Sequence, residues 1–496
     1  MGSGAALFDY DNDDDLDIYL VNSSSGLSRL FRQNKNGTFE DVTEGSGLGD
    51  PGYGMGTALG DIDNDGDVDL FVTSVGADHL YRNDGNGSFV DITAASGIEG
   101  SYWSSSAAFC DVDGNEYLDL YVATYIAVDS HSSCTTKAGV ADYCPPSAYR
   151  SVADQLFLNN GDGTFEKFAE RAGISRLTNS ALGVVCADFN ADGHSDFLVA
   201  NDGERNHLWI NRGNNTFEER AVSFGMSTNL FGEAEASMGI ALGDVNGDQY
   251  LDVFMTHIDQ ESNTLYTSTP QHIMIDATIG ARLGYTSVPF TGFGVVFFDA
   301  DLDGDLDLAV ANGRVRKQSA SRAGTDADDF HRAYAERNLL MENVGAGVYR
   351  SACAETNAFC STIEVSRGLL AGDIDRDGDL DLLLTNSNGR ARLYRNTSRN
   401  EGGWLQLRII DPTLNRDAIG ALVRAKIGDR WLVRPVIHTT SYLSSADATV
   451  HFGLGSASGV DAIIVSWPGG MREKFPGVSA NQYVVIRKGD GHVEGP

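Results

Sequence analysis

The stretch GMGTALGDIDNDGDVDLFVT, residues 54–73, decides how this chain is read. Its centre, from Asp61 to Asp69, puts a carboxylate at every other position. A small, glycine-rich apolar run precedes it, and a run of apolar and β-branched residues follows. Two apolar runs joined by a short polar segment with a glycine describe a strand pair with an acidic turn.

The same nine-residue pattern, D-x-[DN]-x-[DN]-x-x-x-D, opens at Asp9, Asp61, Asp111, Asp188, Asp244, Asp299 and Asp373. Successive starts lie 52, 50, 77, 56, 55 and 74 residues apart, the signature of an array of similar units. A third strand follows in most copies (RLFRQN, HLYRND, QLFLNN, HLWINR, RLYRNT). A fourth opens on a glycine or asparagine turn (GTFEDVT, GSFVDIT, GTFEKFA, NTFEER). Four short strands per unit describe propeller blades, so the expected fold is all-β: a seven-bladed β-propeller over residues 1–400. Beyond it, seven short strands between Trp404 and Lys488, parted by glycine and proline turns, read as a small β-sandwich or barrel over residues 403–490, with 491–496 as a tail. The fourth strands near Ile275 and Tyr349 are weak, and the seventh unit has only three: Leu369–Asp373, Leu380–Thr385 and Arg392–Asn396.

The formal net charge is −34, yet the seven acidic segments hold 31 of the 70 acidic residues and one base, Arg376. The rest of the chain is close to balanced. Acidity confined to turns points to cation binding and disfavours nucleic acid as a partner. Oxygen ligands fall at position one (Asp9, Asp61, Asp111, Asp188, Asp244, Asp299, Asp373) and position three (Asp11, Asp63, Asp113, Asn190, Asn246, Asp301, Asp375). They recur at position five (Asp13, Asp65, Asn115, Asp192, Asp248, Asp303, Asp377) and position nine (Asp17, Asp69, Asp119, Asp196, Asp252, Asp307, Asp381). Position seven supplies a carbonyl from Asp15, Asp67, Tyr117, His194, Tyr250, Asp305 or Asp379. Such a set suits Ca²⁺, up to seven ions, in a mainly structural role. Glycine at position six in four copies permits the sharp turn. An EF-hand would need glutamate at position twelve, where these loops carry Leu20, Val72, Val122, Val199, Met255, Val310 and Leu384. The loops at Asp188 and Asp244 hold three carboxylates each and are expected to bind least tightly.

Among six cysteines, the pairs Cys134/Cys144 and Cys353/Cys360 lie close together in loop-like stretches and read as disulfides of an oxidising compartment. The plainer alternative is six buried thiols. Cys110 and Cys186 sit in predicted strands and stay unassigned. No run of 18 apolar residues exists, so no membrane span is expected.

The repeats resemble FG-GAP calcium-binding repeats of the integrin α-chain type. The tail resembles the ASPIC/UnbV domain through NRDAIGA (Asn415–Ala421), SYLSS (Ser441–Ser445), HFGLG (His451–Gly455) and WPGG (Trp467–Gly470). The combination is similar to the cartilage acidic protein family, which implies a secreted, calcium-binding protein of undefined biochemical role. The resemblance also implies a signal peptide and a strand of the F-x-D-x-T kind ahead of the first loop. Neither is present, so the expected start lies upstream of Met1, lost by truncation or processing, and secreted or periplasmic localisation is expected.

In an up-and-down blade, the turns between strands one and two share a face with those between three and four. The long insertions at 125–153 and 313–338 rise from the opposite face. That face carries Asn22, Ser74, Thr124, Asn201, His257, Asn312 and Asn386, each five residues past its loop. Such residues commonly close a strand on its own backbone; His257 is the odd member. Tyr125, His257, Arg314 and Arg316 are the binding candidates there, with Lys317, Arg322, His331, Arg332 and Arg337 adding charge. The expected function is an extracellular interaction or adhesion module that binds protein or glycan, and the chain is expected to be a monomer. The alternative is a hydrolase, lyase or cyclase at the ring's mouth near His257. No GxSxG, HExxH or Walker A motif supports the alternative.

Overall fold

Alternation of small and large apolar residues drives the strands, and glycine lets them crowd around an axis. The structure, a computed structural model, describes residues 2–23, 26–49, 52–98, 100–128, 132–136, 139–317, 333–398 and 402–494. Residues Arg322, His331 and Arg332 lie outside that set.

The chain is all-β and propeller-like. In the unit quoted above, Tyr53–Gly60 pairs antiparallel with Asp69–Gly76, then His79–Asn83, then Phe89–Asp91. The register sets Leu59 against Leu70, Leu70 against Tyr81 and Tyr81 against Asp91. The pattern repeats in five other units, including the two with weak fourth strands, now Met274–Asp276 and Tyr349–Ser351. The last unit has three strands, Ser366–Gly372, Asp381–Asn386 and Arg392–Tyr394. First strands touch their neighbours in order, and Ser366–Gly372 returns to Ala5–Phe8. Buried residues such as Phe71, Tyr121, Phe197 and Phe254 fill the spaces between units.

From Gly403 onward the strands build two further sheets. Gly403–Asp411 runs between Val450–Gly455 and Gln482–Arg487, while Leu422–Ile427 runs between Arg430–Pro435 and Ala462–Ser466. Leu405, Leu407, Val423, Phe452, Ile463 and Val465 lie between them, in one apolar cluster with Ile62, Phe109 and Leu118 of the ring.

One hairpin leaves this sandwich. Thr439–Thr440 and Ser444–Ala446 enter the middle of the ring, where Ser445 and Ala446 pair in parallel with Ala6 and Leu7. At its tip Ser441 and Ile240 exchange backbone hydrogen bonds of 2.7 and 2.9 Å, and the Ser441 hydroxyl accepts from the Val295 N–H. Thr57 N–H donates to the Leu443 carbonyl, and Leu443 N–H to the Ser106 hydroxyl. The first-strand glycines are needed for this fit: a Cβ on Gly56 would stand 2.9 Å from the Leu443 oxygen. Tyr442 is fully buried against Phe293, Met238 and Tyr125.

Candidate metal centres

Each acidic loop folds back on its first carboxylate. Asp61 Oδ1 accepts the Asp65 N–H at 3.2 Å and Oδ2 the Gly66 N–H at 2.9 Å. Asp9, Asp188 and Asp299 hold the equivalent amides. Every loop is left-handed at two positions. Position six has positive φ at Asp14, Gly66, Glu116, Gly193, Gln249, Gly304 and Gly378. Position four does so at Asn12, Asn64, Gly114, Ala191, Gly247, Leu302 and Arg376. Single residues of this kind are held by their surroundings.

The turn gathers carboxylate oxygens within 4.8 Å of one another in Asp9/Asp11/Asp13, Asp61/Asp63/Asp69, Asp111/Asp113/Asp119, Asp299/Asp301/Asp303 and Asp373/Asp375/Asp377. Burial, together with neighbouring aspartates, pushes Asp61 and Asp299 up to about 7 and Asp9 and Asp373 up to about 6. At position three, Asp11 Oδ1, Asp63 Oδ1 and Asp375 Oδ1 are buried without a hydrogen-bond partner. Buried acceptors of this kind call for a partner, and alternating oxygens at a tight turn fit a hard divalent cation. Positions one and three, with position five or nine, would hold it. In the two poorer loops the asparagine amide takes a neighbouring oxygen: Asn190 Nδ2 donates to Asp192 and Asn246 Nδ2 to Asp248.

Position nine has a further task. Both oxygens of Asp69 accept backbone N–H groups, from Ile62 at 2.8 Å and from Asn83 at 2.7 Å. Asp17, Asp119, Asp196, Asp252 and Asp307 repeat the arrangement, and burial pushes each of them up to about 8. The residue that ends the third strand then reaches the previous unit. Asn83 Nδ2 donates to the Tyr10 carbonyl, Asn159 to Ile62, Asn211 to Val112, Asn343 to Val245 and Asn396 to Ala300. Gln33 Nε2 donates to Ile374 and so spans the first and last units. Sequence reasoning passed over these amides, although an Asn or Gln ends five of the seven third strands and Asn396 stands two residues past a sixth.

On the opposite face, His257 is 0% exposed and donates from Nδ1 to the Ser262 carbonyl at 3.0 Å. Asn201 and Asn312 make the same bond with their amides, to Arg205 O and Arg337 O. His257 thus closes a strand as asparagine does elsewhere. Its Nε2 lies 3.1 Å from Ser237 Oγ, and burial pulls it down to about 4. Tyr125 is 3% exposed and donates to Asp202 Oδ2. Arg314 is held by Asp259 and Glu336; Arg316 is exposed. The two insertions meet, with Tyr334 Oη and the Lys317 N–H both donating to Asp142. Disulfides join Cys134–Cys144 and Cys353–Cys360, as expected from their spacing, and also Cys110–Cys186 across adjacent first strands. No helix among the described residues is long and apolar enough to cross a membrane.

Residues 9–72, 61–122, 147–199 and 188–255 match the FG-GAP-like repeat family, and residues 411–493 match the family described as ASPIC and UnbV. Human cartilage acidic protein 1 is 26% identical over 320 residues, which is 63% of this chain and 44% of that protein. The mouse protein is 26% identical over 322 residues, 63% of this chain and 45% of that protein. The chain therefore spans less than half the length of these relatives. Among solved structures, an Agrocybe aegerita lectin described for recognition of non-reducing terminal N-acetylglucosamine has a TM-score of 0.42 and 15% identity, over 73% of this chain and 82% of that one. The chain thus joins FG-GAP-like repeats to an ASPIC and UnbV domain and is a homologue of cartilage acidic protein 1.

Proposed function

We propose that this chain is an extracellular, calcium-binding, seven-bladed propeller whose face opposite the acidic loops binds protein or glycan. The ring spans residues 1–400 and the ASPIC/UnbV-like domain residues 403–490. Calcium stiffens the loops by neutralising carboxylates that otherwise repel. The observation that carries the binding role is a group of exposed apolar side chains on two connections between fourth and first strands. Phe231 is 80% and Tyr285 92% exposed, with Leu230 and Ile279 beside them in sequence-adjacent units. Leu230 N–H donates to Asp276, tying those connections together. Exposed aromatics rimmed by polar residues suit an interface. The hairpin fills the ring's middle and His257 is buried, which supports a binder over an enzyme at the mouth. Three disulfides support an oxidising compartment.

A screen of the calcium-loaded chain against glycans and secreted proteins tests this reading. A selective ligand should appear, and Phe231→Ser with Tyr285→Ser should abolish its binding without lowering the melting temperature. Binding untouched by the double variant would move the site elsewhere, and no ligand at all would overturn the reading.

A further inference from the structure

The sandwich sits on the acidic-loop face, and it grips loop backbone. Asn415 Nδ2 donates to the Asp65 carbonyl at 2.7 Å, and Arg416 Nη2 to the Glu116 carbonyl at 3.2 Å. Arg430 Nη1 donates to the Asp303 carbonyl at 3.2 Å, and His451 Nε2 to the Gly378 carbonyl at 2.9 Å. These four acceptors stand at positions five and six of four different loops. Each is a left-handed residue or lies between the two left-handed residues of its loop. The loop conformation therefore decides whether the carbonyls face the sandwich. Two first-position carboxylates also bind it: Gly453 N–H donates to Asp299 Oδ2 at 3.0 Å and Gln406 Nε2 to Asp373 Oδ2 at 2.5 Å.

We propose that the ASPIC/UnbV-like domain is a calcium-dependent lock on the ring: cation-loaded loops form its seat, and the seated domain keeps its hairpin in the ring's centre. The proposal rests on the calcium reading above. A cation draws the alternating oxygens inward and fixes the turn. Without it, clustered carboxylates repel one another and the turn opens. The motifs that mark the domain then have a shared purpose, since NRDAIGA and HFGLG supply seat contacts and SYLSS supplies the hairpin.

A rival account, attraction between arginines and acidic loops, predicts the opposite sign. Stripping the cations leaves the loops more negative, so Arg416 and Arg430 would then hold more tightly. Arg430 also pairs with the Asp305 carboxylate, but the four carbonyl acceptors carry no net charge, so their loss on chelation would mark a change of loop shape.

Hydrogen exchange on the full chain separates the accounts, with bound calcium counted in the same samples. On chelation, amides in residues 439–447 should exchange about tenfold faster while the second strands keep their protection, as expected of a sub-global opening. In calcium-loaded protein, Asn415→Ala with Arg416→Ala should expose the same segment and leave the calcium count unchanged. Unchanged or greater hairpin protection after calcium is lost would overturn the lock, as would a double variant whose hairpin stays protected. Loss of hairpin and second strands together would overturn it too. A chain that binds no calcium would instead refute the functional reading beneath it.

Discussion

Asn159 joins two units through one buried amide. Its Nδ2 donates to Ile62 O of the preceding unit and to Leu118 O of its own, and its Oδ1 accepts from Gly161. Asn159→Ala leaves two buried carbonyls unpaired and should cost about 1–3 kcal/mol in urea melts. A cost within error of zero would remove the amide from the ring's framework. His257 tests the same logic through pH. Burial lowers it from 6.5 to about 4, so the unfolded chain takes up a proton before the native state does. Its contribution is complete above about 6.5 and is lost as pH falls toward 4. His257→Asn keeps the strand closure and removes that titration. Near pH 7 it should melt close to the parent; at lower pH the parent should fall behind by about 1.4 kcal/mol per unit. Parallel pH profiles for the two would mean that His257 titrates in the fold as it does in the unfolded chain.

The acidic loop is the element that the sequence displays most openly, because its oxygen-bearing side chains alternate along the turn. Glycine at position six was legible for the same reason, in four loops. The left-handed position four was not: Ala191 and Leu302 occupy it at φ 56° and 62°, and neither residue type signals such a backbone. Loop chemistry still ranks the seven loops as candidate cation sites. Asn190→Asp adds a ligand charge to the loop at Asp188 and removes the amide that holds Asp192 Oδ2. Calcium affinity tracks ligand charge, so that loop should bind about tenfold more tightly in calorimetric titration. Stripped of calcium, the variant should be less stable than the parent, since four carboxylates then face each other. Equal affinities would show that Asn190 already ligates as well as a carboxylate.

At the scale of the molecule, strand count and order were legible down to the missing strand, whereas the hairpin was not. TTSYLSSA reads as a polar connection because its partners lie hundreds of residues away in the first strands. The open seventh unit has a consequence that the other six define. There, the leucine of the third strand uses its outward backbone groups on the fourth strand and the turn beyond. Leu30 O accepts from Val42 N–H, Leu80 O from Ile92, Leu156 O from Phe168 and Leu208 O from Arg220. Leu30 N–H and Leu80 N–H donate to Thr43 and Thr93. Leu393 is their counterpart, and it is 43% exposed where those four leucines are 0%. Its own unit pairs it inward with Leu383, and no strand follows on the other side among the described residues. An apolar edge of this kind accepts another strand. The existing pairs also state what should fit: Arg32 meets Glu40 at 3.3 Å across the third and fourth strands, and the residue at the matching position here is Arg395, which pairs with Asp375 and Asp377 in the absence of such a strand. A synthetic peptide with the sequence of residues 36–43, NGTFEDVT, should therefore bind the chain in fluorescence anisotropy and raise its melting temperature. Leu393→Pro removes the outward N–H and should abolish binding while the fold survives, because proline is tolerated on an edge. If the proline variant binds the peptide as the parent does, the edge is not where the strand adds. If neither binds, the edge is closed in solution.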